Sequence, residues 1–320
     1  MKAAMLGTWH VHAEGYAKEF TADPRCELVA VYDPDGEKAA AFAEKFGAKA
    51  YSDLEKLYAE EEFEAVLVCT ATNEHVPVIV QAAQKGKHIF TEKVLAITGA
   101  GAQEICDAVK AAGVKFVISY PHKCNPGLIF AKNAVASGKL GTITYARVRN
   151  AHNGSIADWL PPHFYDKEQC GGGAMMDLGA HPMYLLLWFL GEPEQVSSAF
   201  TTVTGRPVED NAVSLLSYAN GAIGVSETGF VSNFGNYVIE ISGTEGAVRL
   251  VDDVTAITTK ESEGKFVPAE LPARPKNPLE QWIDYVIDDI PAPEFGVEEA
   301  VQLSKLMEAA YKGSNIGAAY

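Results

Sequence analysis

The chain has 320 residues, enough for one large core or two domains, and its 48% hydrophobic and 21% charged residues are those of an ordinary globular protein. Its formal net charge of -16 disfavours nucleic acid and anionic membrane surfaces as partners, since either would be repelled and no basic cluster offsets this. Small uncharged or cationic ligands stay open.

From residue 1 to about 119, short apolar runs at 3–6, 28–32, 65–69, 88–90 and 115–119 alternate with amphipathic helical stretches. That alternation is the pattern of βαβ units, and it predicts a parallel sheet covered on both faces. Between the runs, Ala39, Phe42, Ala43 and Phe46 share one helical face, and Ser52 followed by Glu55 reads as a capping box.

Gly7 ends the first run and Asp33 the second, the arrangement that sets a pyrophosphate on a helix N-terminus and a ribose on a carboxylate. In Gly7-Thr8-Trp9-His10-Val11-His12, Trp9 and His12 stand where a GxGxxG turn has its second and third glycines. An ordinary βα turn, with Asp33 a turn former before Pro34, is the competing reading. If the site is a dinucleotide site, Asp33 favours NAD over NADP, because no arginine follows in DPDGEK to meet a 2′-phosphate.

The third run ends in Cys69, Thr70, Ala71, Thr72, Asn73, Glu74 and His75, and the fourth in Thr91, Glu92, Lys93 and Val94. Ligands of open α/β sheets bind at such carboxyl ends, so Thr70, Ala71, Thr72, Asn73, His75, Glu92 and Lys93 join the expected cofactor set. Lys93, after an apolar strand, is expected to be partly desolvated.

Beyond Tyr120 the pattern changes to a helix near 128–137, a strand near 143–150 and a polar, aromatic loop over 151–170. Then comes GGGAMMDLGAH at 171–181, three flexible glycines leading to Asp177 and His181 at helical spacing. Four residues apart on a helix places both on one face, where a carboxylate can orient an imidazole for proton transfer. Strand candidates follow at 195–204, 212–218, 222–230, 237–242 and 247–250, with turn signals between them that imply a largely antiparallel sheet. Helices near 278–288 and 297–312 close the chain.

Taken together, the GTWHVH turn, Asp33, CTATNEH, TEKV and GGGAMMDLGAH occur in an order that resembles the Gfo/Idh/MocA oxidoreductases (glucose-fructose oxidoreductase, inositol dehydrogenase and MocA). The resemblance covers nearly the whole chain, including the closing EAAYKGSNIG. It implies an α/β protein, with an N-terminal Rossmann doubly wound parallel sheet over 1–120 that binds NAD(P). An α+β domain with a large, mostly antiparallel open sheet would occupy 121–320, serving substrate binding and oligomerisation, its last helix able to pack back on the first domain. It further implies oxidation or reduction of a secondary ring hydroxyl of a sugar or inositol-like polyol, with Lys93 matching the lysine of the family's EKP motif and Asp177 and His181 its DxGxH pair. Val94 stands where the family has proline, and Tyr184 where an aspartate often follows the histidine.

His122, Trp159 and His163 are added as candidate substrate contacts, while His10, His12, His75 and His152 each have an ordinary structural or surface reading. Histidine and acidic residues show no tight ligand spacing, so no metal is expected. A glycoside-cleaving enzyme or lyase using transient oxidation, and a non-catalytic NAD-binding regulator, are the rival readings. A homodimer or homotetramer is the expected assembly. The five cysteines, Cys26, Cys69, Cys106, Cys124 and Cys170, are odd in number and free of any CxxC pair, which argues against disulfides and fits a reducing cytoplasm. A cytoplasmic location is also expected because MKAAMLGTW runs straight into a turn and the longest apolar patch, 183–190, is too short to span a bilayer.

Overall fold

In the computed structural model, which describes residues 1–313, the chain divides into two compact units. The first comprises Met1–Ser119 and Lys276–Ser304; the second holds Tyr120–Pro275 and the chain from Lys305 onward.

The first unit is a six-stranded parallel sheet of β1 (Lys2–Leu6), β2 (Glu27–Tyr32), β3 (Lys49–Tyr51), β4 (Ala65–Val68), β5 (His88–Thr91) and β6 (Phe116–Ile118), in the order β3-β2-β1-β4-β5-β6. All four residues of β4 and four of five in β1 are buried, as a strand covered on both faces requires. β3, absent from the sequence reading, is a three-residue edge strand with only Tyr51 buried, too short for a period-2 pattern to appear. The cap expected at Ser52 belongs to its neighbour: Asp53 is the N-cap and accepts the Lys56 N–H.

The Lys276–Ser304 segment joins this unit because Trp282, fully buried on the Pro278–Asp288 helix, packs 6.2 Å from the Phe20 ring and 5.7 Å from the Phe90 ring. The expected continuous second domain over 121–320 is therefore interrupted. Asn277 and Glu280 form the helix's capping box, and Asp284 takes both Arg25 (3.1 Å) and Lys276 (2.5 Å).

The second unit carries an eight-stranded sheet of β7 (Ile143–Ala151), β8 (Gln195–Thr201), β9 (Asn211–Ser217), β10 (Ile223–Gly229), β11 (Tyr237–Gly243), β12 (Gly246–Val251), β13 (Val254–Thr259) and β14 (Val267–Pro268). Its order is β14-β13-β12-β11-β7-β10-β9-β8, antiparallel throughout except where β10 runs parallel to β7. β9 alternates strictly, with Ala212, Ser214 and Leu216 buried and Val213 and Leu215 outward. On β7 the outward residues carry charge: Arg147 meets Glu227 through two nitrogens (2.7 and 3.0 Å) and Glu240 at 3.2 Å. The closing helix, Val297–Lys312, passes from the first unit to the second. Of EAAYKGSNIG, the residues from Ser314 onward lie outside the described residues.

Candidate active site

In the first unit the expected cofactor residues collect at the carboxyl ends of β1, β2, β4 and β5, with β1 and β4 adjacent at the point where strand order reverses. Gly7 has φ +85°, and a Cβ there would lie 2.5 Å from the Thr70 nitrogen, so neither backbone nor space admits a side chain. This tight cradle fits the dinucleotide the fold family implies, even though Trp9 and His12 occupy the later glycine positions. The turn is tied down by Gly7 N–H to Tyr32 O (2.7 Å) and His10 N–H to Cys69 O (3.1 Å), while Val11 and His12 stay exposed.

Asp33 braces the same turn. It accepts from the Thr8 N–H (2.9 Å), the Thr8 hydroxyl (2.6 Å) and the Asp35 N–H (3.0 Å). Glu74, which the sequence reading did not single out, is half-buried here; burial and the nearby Asp33 raise its carboxyl above the usual range. Thr70, Ala71 and Thr72 are buried and Asn73 is exposed. His75 is only 1% exposed, and its Nδ1 meets the carbonyls of Val94 (3.0 Å) and Leu95 (3.3 Å). It braces the turn after Lys93.

Glu92 sits 2% exposed at the end of β5. Its Oε1 faces His12 Nδ1 at 2.7 Å and His10 Nδ1 at 3.6 Å and accepts from the Tyr16 hydroxyl, which also meets Ser119 Oγ at 2.8 Å. Its Oε2 accepts the Lys93 N–H at 2.9 Å. Burial alone would raise this carboxyl, but His10, the bond with His12 and Lys93 overcome it and hold Glu92 well below the usual carboxylate range. One buried carboxylate thus ties the turn after β1 to the strand end that carries Lys93, itself 6% exposed and followed by a cis peptide to Val94. The ligand atoms of His10, His12 and Glu92 lie within 4.8 Å of one another, a grouping spread over eighty residues of chain that linear spacing could not reveal.

In the second unit, Asp177 and His181 are not on one uninterrupted helix. Ala174–Asp177 is a single turn, Leu178 and Gly179 intervene, and a new helix begins at Ala180. The hydrogen-bond ladder shifts there, with Gly179 N–H reaching Ala174 O (2.8 Å) and His181 N–H reaching Leu178 O (3.2 Å). The His181 ring, 7% exposed, has Tyr184 Oη as its Nδ1 partner at 3.0 Å, where the sequence reading gave the orienting role to Asp177. Tyr184 Oη also accepts the His122 N–H at 3.2 Å, and burial pushes this hydroxyl's pKa far up, so it stays neutral.

His122 lies beside His181, ring centroids 4.5 Å apart, with its Nδ1 2.6 Å from Tyr237 Oη. Tyr120 stacks on Tyr184 at 4.3 Å. Trp159 and His163 sit in the loop after β7. Trp159, 55% exposed, donates its indole N–H to Asn153 (3.2 Å) and leans on His152, while the half-buried His163 ring packs on Phe164.

The glycines before this helix are not flexible. Gly171 caps the Lys167–Cys170 turn at φ +81°, a Cβ on Gly172 would fall 1.9 Å from the Tyr311 hydroxyl, and one on Gly173 2.1 Å from the Glu209 carbonyl. They are absent side chains in a crowded place.

Residues 1–120 match the family description "Oxidoreductase family, NAD-binding Rossmann fold", and residues 129–249 match "GFO/IDH/MocA C-terminal domain". The chain belongs to the GFO/IDH/MocA oxidoreductases. Among similar proteins of known name, the 1,5-anhydro-D-fructose reductase of Ensifer adhaerens is 28% identical over 264 residues, covering 78% of this chain and 77% of that one. The scyllo-inositol 2-dehydrogenase (NAD(+)) of Bacillus subtilis (strain 168) is 25% identical over 280 residues, covering 84% and 80%. Of solved structures, GenD2 from gentamicin A biosynthesis, in complex with NAD, is 27% identical with a TM-score of 0.81 and coverage of 99% and 95%. This GFO/IDH/MocA oxidoreductase has no helix among its described residues long and apolar enough to cross a membrane.

Proposed function

We propose that this GFO/IDH/MocA oxidoreductase interconverts a secondary ring hydroxyl and a ketone on a sugar or inositol-like polyol, using NAD. The observation that carries this reading is the buried imidazole of His181, its Nδ1 held 3.0 Å from the neutral Tyr184 hydroxyl and its ring 4.5 Å from that of His122. The named relatives act on ring compounds of this class.

When bound, NAD supplies the acceptor for the hydrogen that leaves the carbinol carbon with its electron pair. Gly7, Thr8, Trp9, His10, Val11, His12, Thr70, Ala71, Thr72, Asn73, His75, Glu92 and Lys93 are assigned to hold it. Asp33 is assigned to the ribose, and with Glu74 nearby a 2′-phosphate would meet two carboxylates, which favours NAD over NADP. In the oxidation direction His181 Nε2 takes the hydroxyl proton while its Nδ1–H donates to Tyr184. Asp177 is assigned to stabilise the imidazolium, and Lys93 to proton handling, as its place in the TEKV motif implies. His122, Trp159 and His163 are assigned to the substrate.

His181→Ala should lower turnover by about 10²- to 10⁴-fold while leaving NAD affinity intact. Turnover of a panel of monosaccharides, glycosides and inositols with NAD, read as NADH formed, tests this. Near-normal turnover in the variant, or no NADH from any compound by the wild type, would overturn it.

The second imidazole favours one further reading. With His122 only 4.5 Å from His181, transient oxidation at one ring carbon would let His122 take the acidified neighbouring C–H proton, a glycosidic substituent would leave, and reduction would restore the alcohol. Cleavage of a glycoside in the panel without net NADH would mark this route.

We assign substrate binding and oligomerisation to the second unit. Its outward Val213, Leu215 and Ile223 are 37%, 50% and 49% exposed, an apolar set that a homodimer or homotetramer would cover. Five free cysteines support work in a reducing cytoplasm.

A further inference from the structure

We propose that Glu209 and Tyr311 are positioning residues that lock the turn leading into His181. The proposal rests on the proton-transfer role given to His181 above. The turn Ala174–Asp177 begins without a side-chain cap from its own N-cap residue, Gly173, so its first N–H groups need partners from elsewhere. Glu209, thirty-six residues on and fully buried, supplies them. Its two carboxylate oxygens accept the Gly173 N–H (3.0 Å each) and Oε1 also accepts the Met175 N–H (3.0 Å), while its own backbone carbonyl accepts the Ala174 N–H at 2.8 Å. Three consecutive amides therefore converge on one residue.

Tyr311 completes the clamp from the closing helix, donating its hydroxyl to Glu209 Oε1 at 2.6 Å. That helix end is itself fixed, with the Ser198 N–H on the Gly313 carbonyl (3.0 Å) and Phe200 edge-on to the Tyr311 ring at 5.0 Å. The clamp reaches His181 through a short chain of contacts. A Cβ on Gly179 would fall 2.6 Å from the Met175 carbonyl, so the backbone two residues before His181 is seated directly on a residue that Glu209 holds. Displacement of Met175 is passed to the imidazole with nothing soft between. A fully buried carboxyl that needs two backbone amides and a tyrosine hydroxyl to satisfy it is a costly way to stabilise a fold, which favours placement as its purpose.

The test uses Glu209→Gln in the full chain, with Tyr311→Phe as the milder variant. Amide hydrogen exchange at Gly173 and Met175 should quicken in both, more in the first. With a substrate deuterated at the carbinol carbon, kcat should fall by about 10- to 100-fold in Glu209→Gln, NAD affinity should not move, and the primary isotope effect should rise as proton and hydride transfer become limiting. A loss of active fraction through misfolding would leave that isotope effect where it was. If Glu209→Gln does not fold, the same readouts on Tyr311→Phe decide. Unchanged exchange, or quickened exchange with unchanged kcat and isotope effect, would overturn the proposal. If the wild type itself turns over nothing, the dehydrogenase reading falls, and the clamp is then judged by exchange together with the NMR titration of the His181 ring, which must differ between variant and wild type.

Discussion

Each unit of this protein buries one glutamate beneath a glycine turn, and the two are charged in opposite surroundings. Glu92 in the first unit faces His10, His12 and Lys93 and is held well below the usual carboxylate range; Glu209 in the second, meeting only backbone amides and a tyrosine hydroxyl, is raised by burial against those bonds. The two carboxylates are equally hidden, so burial does not explain the difference. Neighbouring cations decide whether a buried acid is stabilised as an ion or merely tolerated. At Glu92 the facing groups belong to the turn after β1 and to the end of β5, so the charge ties these two segments together. At Glu209 the neutral donors belong to a backbone turn, so the charge organises geometry.

The largest expected break in this comparison is Glu92→Gln. Removing the charge takes away the carboxylate that faces His10 and Lys93, each 6% exposed, and should cost about 3 kcal/mol of stability and weaken NAD binding. Glu209→Gln strands no cation and should cost about 1 kcal/mol, the value of a neutral hydrogen bond or two. Denaturant titration of the two variants side by side measures the gap; equal losses would mean the cations contribute little. A smaller effect sharpens the contrast through pH. For Glu92 the folded pKa lies below the unfolded value of about 4.3, so its stabilisation is present above that value and is lost as pH falls through the lower folded pKa. For Glu209 the folded pKa is raised, so its contribution is full below about 4.3 and is lost as pH rises through the folded value. Glu92→Gln should therefore flatten the acid limb of the stability profile and Glu209→Gln the rise in cost above it.

Sequence periodicity reached what depends on neighbours along the chain. The helix Pro278–Asp288 carries its own capping box, both it and Val297–Lys312 carry apolar stripes, and their bounds are those read from the sequence. The first sheet was legible for the same reason, except β3, where three residues hold no pattern. β13 and β14 escaped because Val254–Thr259 follows β12 after only two residues and β14 is two residues long. Gly7 was recognisable as the first glycine of a cradle, but the partner that makes it obligatory, Thr70, lies far along the chain. His181 was legible in the motif, but its Nδ1 contact with Tyr184 was not, and the helix that the i to i+4 spacing presumes is interrupted at Leu178 and Gly179. Tyr16, Ser119, Glu209 and Tyr311 carry no motif at all. Their roles come from contacts with |i−j| from 34 to 103, which only the folded chain supplies.

The most direct measurement follows deuterium. A ring polyol labelled at the reacting carbinol carbon is incubated with NAD and either the wild type or His181→Ala, and the nicotinamide is analysed for label. The account predicts labelled cofactor from the wild type and strongly slowed labelling from the variant at equal NAD occupancy. Cofactor that stays unlabelled in the wild type, or is labelled equally fast by both proteins, would contradict it.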